Sequence, residues 1–147
     1  LTGPNGVRIV KARDFYEAAY FTAREDEEIL TSISFSVPNC GYAYEKQKRK
    51  IGDYATAAAG VLINMDNDTC SFASIALTNL SDTPVYCEEA VNNLVGKKVD
   101  SNAIKKAVHD CVEASDPVAD TRGPVEFKKY VAGIIVQKAI ENAIARV

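Results

Sequence analysis

The sequence predicts an α+β fold, in which an antiparallel sheet of about four strands is followed by three helices packed on one of its faces. Two observations support this class. In residues 29–37 and 70–78 apolar residues alternate with a period of two, which is typical of strands with one buried face. After residue 84 they recur every three and four residues, as in amphipathic helices. Strands followed by helices indicate a sheet covered on one side.

The front of the chain predicts only short elements. Residues 2–6 are rich in Gly and Pro and suit a hairpin loop, and residues 7–10 alternate as a short strand. Asp14 is a suitable cap for a helical turn over residues 15–19. Aromatic residues are frequent here, so we expect this segment to pack against other polypeptide.

Four strands are predicted next. The first covers residues 29–37 and has one apolar side, and the second covers residues 42–46. Residues 55–65 and 70–78 form two more, joined by a turn of Asp and Asn at 66–68.

Three helices complete the fold. The first covers residues 88–95 and stops at Gly96, and the second is capped by Asp100 or Ser101. The third begins at Gly123 and Pro124, since proline favours the first turn of a helix. Its predicted buried side contains Phe127, Val131, Ile134, Ile135, Ala139, Ala143 and Ile144.

Composition excludes several classes of protein. The 17 Lys and Arg residues are balanced by 20 Asp and Glu residues, which argues against nucleic-acid binding. No apolar run approaches the roughly 20 residues that cross a bilayer. Residues 1–10 lack the basic and apolar regions of a secretory signal, so we expect a cytoplasmic protein. Cys40, Cys70, Cys87 and Cys111 form no CxxC pair, so buried thiols are expected rather than a metal site.

No self-contained catalytic motif is present. His109, the one histidine, lies toward the polar side of the second helix and is expected to be solvated. Nucleophile elbows, zinc-protease helices and glycine-rich phosphate loops are all missing. The sequence therefore argues against a stand-alone hydrolase.

The most distinctive loop covers residues 46–54, where five residues are charged and Tyr54 ends the run. Two interpretations remain open: a solvated loop, or cations that face an anion or an electron-rich ring while Tyr54 offers a surface for stacking. Farther along, Asp120 and Arg122 precede the third helix and are expected to make capping and surface contacts.

Several segments spread along the chain carry a family resemblance. They are LTGP at 1–4, RDFY at 13–16, AYFTA at 19–23, GYAYEK at 41–46, KRKIGDYATAAA at 48–59, LTN at 77–79, TP at 83–84 and RGPVE at 122–126. Together they closely resemble the medium, flavin-binding subunit of aerobic carbon monoxide dehydrogenases. Related molybdenum hydroxylases share much of this pattern.

The resemblance implies a multi-subunit oxidoreductase. Residues 1–24 would be the tail of the FAD-binding domain, and residues 25–147 the C-terminal domain. In this family FAD carries electrons from a two-iron two-sulfur cluster in a small subunit to an external acceptor, while CO is oxidised at a molybdenum-copper centre in a large subunit. The expected partners are those two subunits and the N-terminal FAD-binding portion of the same subunit.

The resemblance also suggests the site residues. Lys46 would place a positive charge beside the flavin, Tyr54 would cover or gate one flavin face, and Asp53 would orient the loop. The family's two glycine-rich pyrophosphate loops are absent from this sequence, so we expect the chain alone neither to hold FAD nor to be active. The alternative function is a non-catalytic interaction domain that docks the partner subunits, motivated by the aromatic residues Phe15, Tyr16, Tyr20 and Phe21.

Overall fold

The computed structural model describes all of residues 1–147, which divide into two units, Leu1–Asn39 and Cys40–Val147. The first unit contains four very short strands and one turn of 3₁₀ helix. The second contains a four-stranded sheet and three helices. None of these helices is both long enough and apolar enough to span a bilayer.

The first unit begins with two small antiparallel pairs. Strands β1 (Thr2–Gly3) and β2 (Gly6–Val7) pair across a turn, which confirms the predicted hairpin loop but limits the predicted strand over residues 7–10 to its first residue. The predicted helical turn over residues 15–19 is wrong. A 3₁₀ helix occupies Ala12–Asp14 instead.

A second hairpin replaces that predicted turn. Strands β3 (Tyr16–Ala18) and β4 (Phe21–Thr22) pair antiparallel. The chain reverses at Tyr20, whose φ of 65° lies in the left-handed region used by tight turns. Turn geometry therefore overrides the helical tendency of the alanines in this stretch.

The strand predicted over residues 29–37 does not form. Only Ile29 makes a bridge, through two backbone hydrogen bonds of 2.9 Å to Thr2. Ile33, Phe35 and Val37 are 75% to 88% exposed, so the predicted buried side is also wrong. An alternating segment suits a sheet, but it becomes a strand only when a neighbouring strand pairs with its backbone, and beyond Ile29 this segment has no such neighbour.

An ion pair between the exposed Arg8 and the buried Glu28 links distant parts of the first unit. Arg8 donates from Nε to Glu28 Oε1 at 2.6 Å and from Nη2 to Glu28 Oε2 at 2.7 Å. The same guanidinium also donates to the carbonyl of Ala23, and Glu28 Oε2 accepts the backbone N–H of Glu25 at 2.8 Å. The guanidinium of Arg8 and that backbone N–H lower the pKa of Glu28 from 4.5 to about 2.

We expect this pair to make the first unit sensitive to acid. Because the pKa of Glu28 is lower in the folded chain than in the unfolded chain, its contribution to stability is complete above pH 4.5 and is lost as the pH falls toward about 2. Carbon-13 NMR titration of the Glu28 carboxyl should give that low midpoint. In the control variant Arg8→Gln the midpoint should return toward 4.5, and an unchanged midpoint would contradict the assignment.

The second unit is built on one antiparallel sheet. Its strands are β5 (Gly41–Gln47), β6 (Ala57–Asp66), β7 (Thr69–Thr78) and β8 (Val85–Tyr86), and their order in the sheet follows their order in the chain. The predicted hairpin between β6 and β7 is confirmed, and Asn67 adopts a positive φ of 53° at its turn. The short β8, rather than residues 29–37, is the fourth strand.

Three helices follow, as predicted. They are α1 (Glu88–Leu94), α2 (Ser101–Glu113) and α3 (Val125–Ile144). Asp100 caps α2 by accepting the backbone N–H groups of Asn102 and Ala103, each at 2.9 Å. Helices α1 and α3 lie on the sheet, and α2 packs on both of them. The α+β class is therefore confirmed.

The core lies between the sheet and the helices. It is formed by side chains that alternate along β5, β6 and β7 and by the buried stripes of α1, α2 and α3. On α3 the prediction is wrong for Phe127 and Ile134, which are exposed, whereas Lys128 is buried. The stripe is rotated so that it includes this lysine, whose ammonium finds its partners in the segment before the helix.

Candidate functional site

The loop between β5 and β6 presents two of the predicted residues, Lys46 and Tyr54, to solvent. Lys46 lies near the end of β5 on the exposed side of that strand, opposite the side that faces the helices. Tyr54 is 80% exposed and stands just before the loop closes, where the N–H of Thr56 donates to the carbonyl of Gln47 at 2.7 Å. The sequence prediction of an exposed loop is confirmed.

Asp53 joins both ends of this loop. Its Oδ1 accepts the backbone N–H of Tyr54 at 2.9 Å, and its Oδ2 accepts from Arg49 Nε at 3.2 Å. Arg49 also donates from Nη1 to the carbonyl of Thr121 at 3.4 Å, which links the loop to the segment before α3. The Asp53 side chain is only 10% exposed, so its carboxylate is a structural anchor rather than a free charge.

Arg122 reaches the same carboxylate from the other side. Its Nη2 lies 3.5 Å from Asp53 Oδ1, and its guanidinium carbon lies 5.6 Å from the centroid of the Tyr54 ring. That distance is within the range of a cation–π contact. The side chain is 18% exposed, and its Nε is buried without a hydrogen-bond partner. Arg122 therefore contacts both Asp53 and Tyr54 from beneath the loop.

A tight turn holds Arg122 in place. The N–H and carbonyl groups of Asp120 and Gly123 exchange backbone hydrogen bonds of 3.2 and 3.1 Å, and Asp120 Oδ1 accepts the N–H of Arg122 at 2.8 Å. Gly123 has a φ of +149°, and a Cβ at this position would lie 2.6 Å from the ring of Phe127. The turn therefore requires glycine here.

Lys128 explains the rotation of α3. This lysine is 2% exposed. Its Nζ donates to the carbonyl of Val118 at 2.8 Å and lies 2.9 Å from Asp120 Oδ2. A buried ammonium is tolerated only when it is paired and hydrogen-bonded. The lysine turns inward because the segment before the helix supplies both partners.

The carboxylates of Asp53 and Asp120 remain charged over a wide pH range. Burial raises the pKa of Asp53, but the hydrogen bonds from Arg49 and from the N–H of Tyr54, with the charges of Arg49 and Arg122, outweigh it and leave this pKa lowered. The Lys128 ammonium and then the N–H of Arg122 lower the pKa of Asp120. The network is therefore fixed electrostatically around neutral pH.

The structure thus brings two of the three predicted residues into one network and adds others. Asp53 and Tyr54 are joined, and Lys46 stands exposed at the base of the same loop. Asp120 caps the turn as expected, but Arg122 is not a surface residue. Sequence reasoning missed Arg122 and Lys128 as members of the site, since no local pattern connects them to a loop about 70 positions earlier; Arg49 and Thr121, the bonded pair, are 72 apart.

The other candidates offer no second site. His109 is exposed on α2, as predicted. Cys70, Cys87 and Cys111 are buried free thiols, as predicted, whereas Cys40 is half-buried. No group of three or more His, Cys, Asp or Glu side chains is arranged to hold a metal ion.

The family model described as the CO dehydrogenase flavoprotein C-terminal domain matches residues 42–143. The chain belongs to this family. In sequence, the carbon monoxide dehydrogenase medium chain of Afipia carboxidovorans is 52% identical over 99% of this chain, and that of Hydrogenophaga pseudoflava is 36% identical over 99%. The matched parts are 51% and 52% of those proteins, so the chain spans about half of their length.

Solved structures agree with this membership of the CO dehydrogenase flavoprotein C-terminal domain family. The Cu,Mo-CO dehydrogenase in its cyanide-inactivated form superposes with a TM-score of 0.95 and is 51% identical, over 99% of this chain and 52% of that one. The carbon monoxide dehydrogenase from Hydrogenophaga pseudoflava that lacks the Mo-pyranopterin moiety gives 0.92 at 36% identity, over 99% and 51%. The resemblance inferred from the sequence motifs is therefore confirmed.

Proposed function

We propose that this chain is the part of a flavoprotein subunit that flanks FAD, in a molybdenum hydroxylase of the carbon monoxide dehydrogenase type. The observation that carries the proposal is the Tyr54 ring, which is exposed at the end of a charged loop and is contacted by the guanidinium of Arg122. An exposed aromatic ring with fixed orientation suits a flat ligand ring, because stacking then requires little ordering of the side chain.

The residues fit the ring end of FAD but not its diphosphate. Tyr54 would cover one face of the ring system and exclude water from it, and Lys46 would supply a positive charge nearby. Asp53, already paired with two arginines, would keep the loop in shape. The sequence contains no glycine-rich loop for a diphosphate. When bound, FAD would carry electrons from an iron-sulfur cluster in a small subunit to an external acceptor.

The domain assignment belongs to the same proposal. Residues 1–24 would complete an FAD-binding domain whose main part is the other half of the subunit, and residues 25–147 would form the C-terminal domain. The chain covers about half of the medium chains it matches, which supports a division of labour of this kind. The partners would be a small iron-sulfur subunit and a large molybdenum subunit, in the cytoplasm.

The substrate would be chosen elsewhere. Relatives over most of this chain are named after different substrates: carbon monoxide, caffeine and glyceraldehyde. A domain shared by enzymes with such different substrates is suited to a common step, and electron transfer through a flavin is such a step. We therefore place substrate choice in the large subunit.

Truncating Tyr54 should weaken flavin binding in the assembled enzyme. Because loss of an aromatic stacking contact removes about 0.5–1.5 kcal/mol, Tyr54→Ala should raise the FAD dissociation constant roughly two- to tenfold. The matched control is Tyr130→Ala, which removes another exposed tyrosine of the same domain. For both variants the FAD dissociation constant is measured from the flavin absorbance as the enzyme is diluted.

Two outcomes would count against the proposal. The first is a colourless product after the chain has been joined to the other half of a medium subunit, assembled with the partner subunits and supplied with FAD; this result would exclude a flavoprotein function. Equal flavin affinity and reduction in Tyr54→Ala and the parent enzyme would remove Tyr54 from the site.

A second function, a docking domain for the partner subunits, is favoured by the exposed aromatic residues of the first unit. Tyr16, Tyr20 and Phe21 are all at least half exposed, and Phe15 packs edge-on against Tyr16 at 5.2 Å. Exposed aromatic residues of this density are typical of contact surfaces. If docking were the whole function, Tyr20→Ser would impair subunit assembly in size-exclusion chromatography while Tyr54→Ala left flavin properties intact.

A further inference from the structure

We propose that Arg122 is the positioning residue for Tyr54, and that Lys128 sets the position of Arg122 through the shared carboxylate of Asp120. The inference rests on the proposed function in so far as it gives the Tyr54 ring a flavin to face. Its physical content, an ordered ring held by a half-buried cation, concerns residues of this chain alone.

Arg122 is held mainly by charge. Its two terminal nitrogens lie 3.5 Å from Asp53 Oδ1 and 3.6 Å from Asp120 Oδ2, both longer than an ordinary charge-assisted hydrogen bond. Its Nε has no partner at all. The guanidinium therefore lies between two carboxylates without a complete set of directional bonds, and its position depends on the balance between them.

Lys128 takes part in that balance. Asp120 Oδ2 lies 2.9 Å from the Lys128 ammonium but 3.6 Å from Arg122, so the buried lysine takes the larger share of this carboxylate. Without the lysine charge, Asp120 would attract Arg122 more strongly. The guanidinium would then move toward Asp120 and away from Asp53 and the Tyr54 ring.

The Tyr54 ring depends on Arg122 for its order. The ring is 80% exposed, so little packing restrains it. Two contacts restrain it: the hydrogen bond from the Tyr54 backbone N–H to Asp53, and the Arg122 cation next to the ring. Arg122 also contacts Asp53, so it takes part in both restraints. Moving Arg122 should therefore release the ring even though Lys128 itself does not touch it.

The test observes the ring directly. The full 147-residue chain is labelled with 3-fluorotyrosine, and among its seven tyrosine signals the one from Tyr54 is assigned as the signal lost in Tyr54→Phe. Circular dichroism first establishes that each variant is folded. In Arg122→Gln and in Lys128→Met the fluorine resonance of Tyr54 should move toward that of free 3-fluorotyrosine. In Arg122→Lys the Tyr54 resonance should lie closer to its position in the unchanged chain than it does in Arg122→Gln. In the control Lys50→Gln, in the same loop, the Tyr54 resonance should not move.

Each result decides a part of the proposal. An unchanged Tyr54 resonance in Arg122→Gln overturns it. A shift in Arg122→Gln without one in Lys128→Met supports Arg122 and overturns the role of Lys128. If Arg122→Gln does not fold, Lys128→Met decides, because it alters no group in contact with Tyr54, and an unchanged resonance there overturns the proposal.

A second measurement separates this inference from the proposed function. In the assembled enzyme, Arg122→Gln should raise the FAD dissociation constant about two- to tenfold, as expected for a lost cation–π restraint. A shifted Tyr54 resonance with unchanged FAD affinity would support the positioning role and contradict the flavin role of Tyr54. Weakened FAD binding with an unchanged resonance would contradict the positioning role, because Arg122 would then affect FAD without acting through the Tyr54 ring.

Discussion

Replacing Gly41 by alanine is expected to destabilise the second unit strongly. Gly41 begins β5, and with Ala43 it lies on the side of that strand that faces α3. A Cβ at position 41 would overlap the carbonyl oxygen of Ala143 in α3 and lie 2.8 Å from Val147 Cγ2. The Val147 side chain can rotate away, but the Ala143 carbonyl belongs to the helix backbone. We expect a loss of about 3 kcal/mol in the free energy of unfolding, the upper range for overpacking.

Gly60→Ala provides the matched control. Gly60 lies in β6 on the opposite face of the sheet, where a Cβ would meet only Tyr44 Cδ2 at 3.8 Å, an ordinary van der Waals contact. Since glycine weakens a strand interior, alanine here should be neutral or stabilising by up to about 1 kcal/mol. Urea unfolding followed by circular dichroism at the helix band reports on the second unit, because all three α-helices lie in it. Equal stability of the two variants would contradict the close packing of α3 on β5.

The elements that could be predicted from sequence are those whose ends are marked by residues within or next to the element itself. Strand β7 was predictable because its apolar residues alternate, and β6 was predictable because the Asn-Asp turn joins it to β7 as a hairpin. Helix α2 was predictable because Asp100 caps it and its apolar residues recur at helical spacing. Each of these signals is local, so it does not depend on contacts with distant residues.

The errors arise where a distant partner decides. Residues 29–37 alternate clearly, yet apart from the single bridge at Ile29 no neighbouring strand pairs with them. On α3, apolar character predicted an inward Phe127, but the carbonyl of Val118 and the carboxylate of Asp120 made an inward Lys128 possible. A lysine on the buried stripe cannot be predicted without knowing that these partners exist.

The candidate site divides in the same way. Tyr54, Asp53 and Lys46 stood out because they share one charged loop, and family resemblance suggested their roles. Arg122 was assigned to capping and surface contacts because only its sequence neighbours were visible. Its contacts with Asp53 and Tyr54 depend on how the turn before α3 lies against the β5–β6 loop, which only the folded chain shows.

Asp120→Asn is expected to destabilise the second unit more than Lys128→Met does. Removing the carboxylate's charge leaves the Lys128 ammonium, 2% exposed, with a carbonyl and a neutral amide as its partners. An uncompensated buried charge typically costs about 3–5 kcal/mol. The same change also removes one of the two charges that hold Arg122. In urea unfolding of the Asp120→Asn variant, we expect a large fall in the urea concentration at the midpoint of the transition.

Lys128→Met is the milder change because it removes the buried charge instead of stranding it. Methionine fills a similar volume on the α3 stripe, and Asp120, whose side chain is 30% exposed, keeps water and Arg122 as partners. What is lost is the hydrogen bond to the carbonyl of Val118 and the ion pair with the partly exposed Asp120, so we expect a cost of about 1–2 kcal/mol. If Lys128→Met proved the more damaging variant, the ammonium would be stabilised mainly by Val118 and the fold, and Asp120 would not be the group that neutralises it. The positioning of Arg122 by Lys128 would then lose its electrostatic basis, since that role requires the two cations to compete for this one carboxylate.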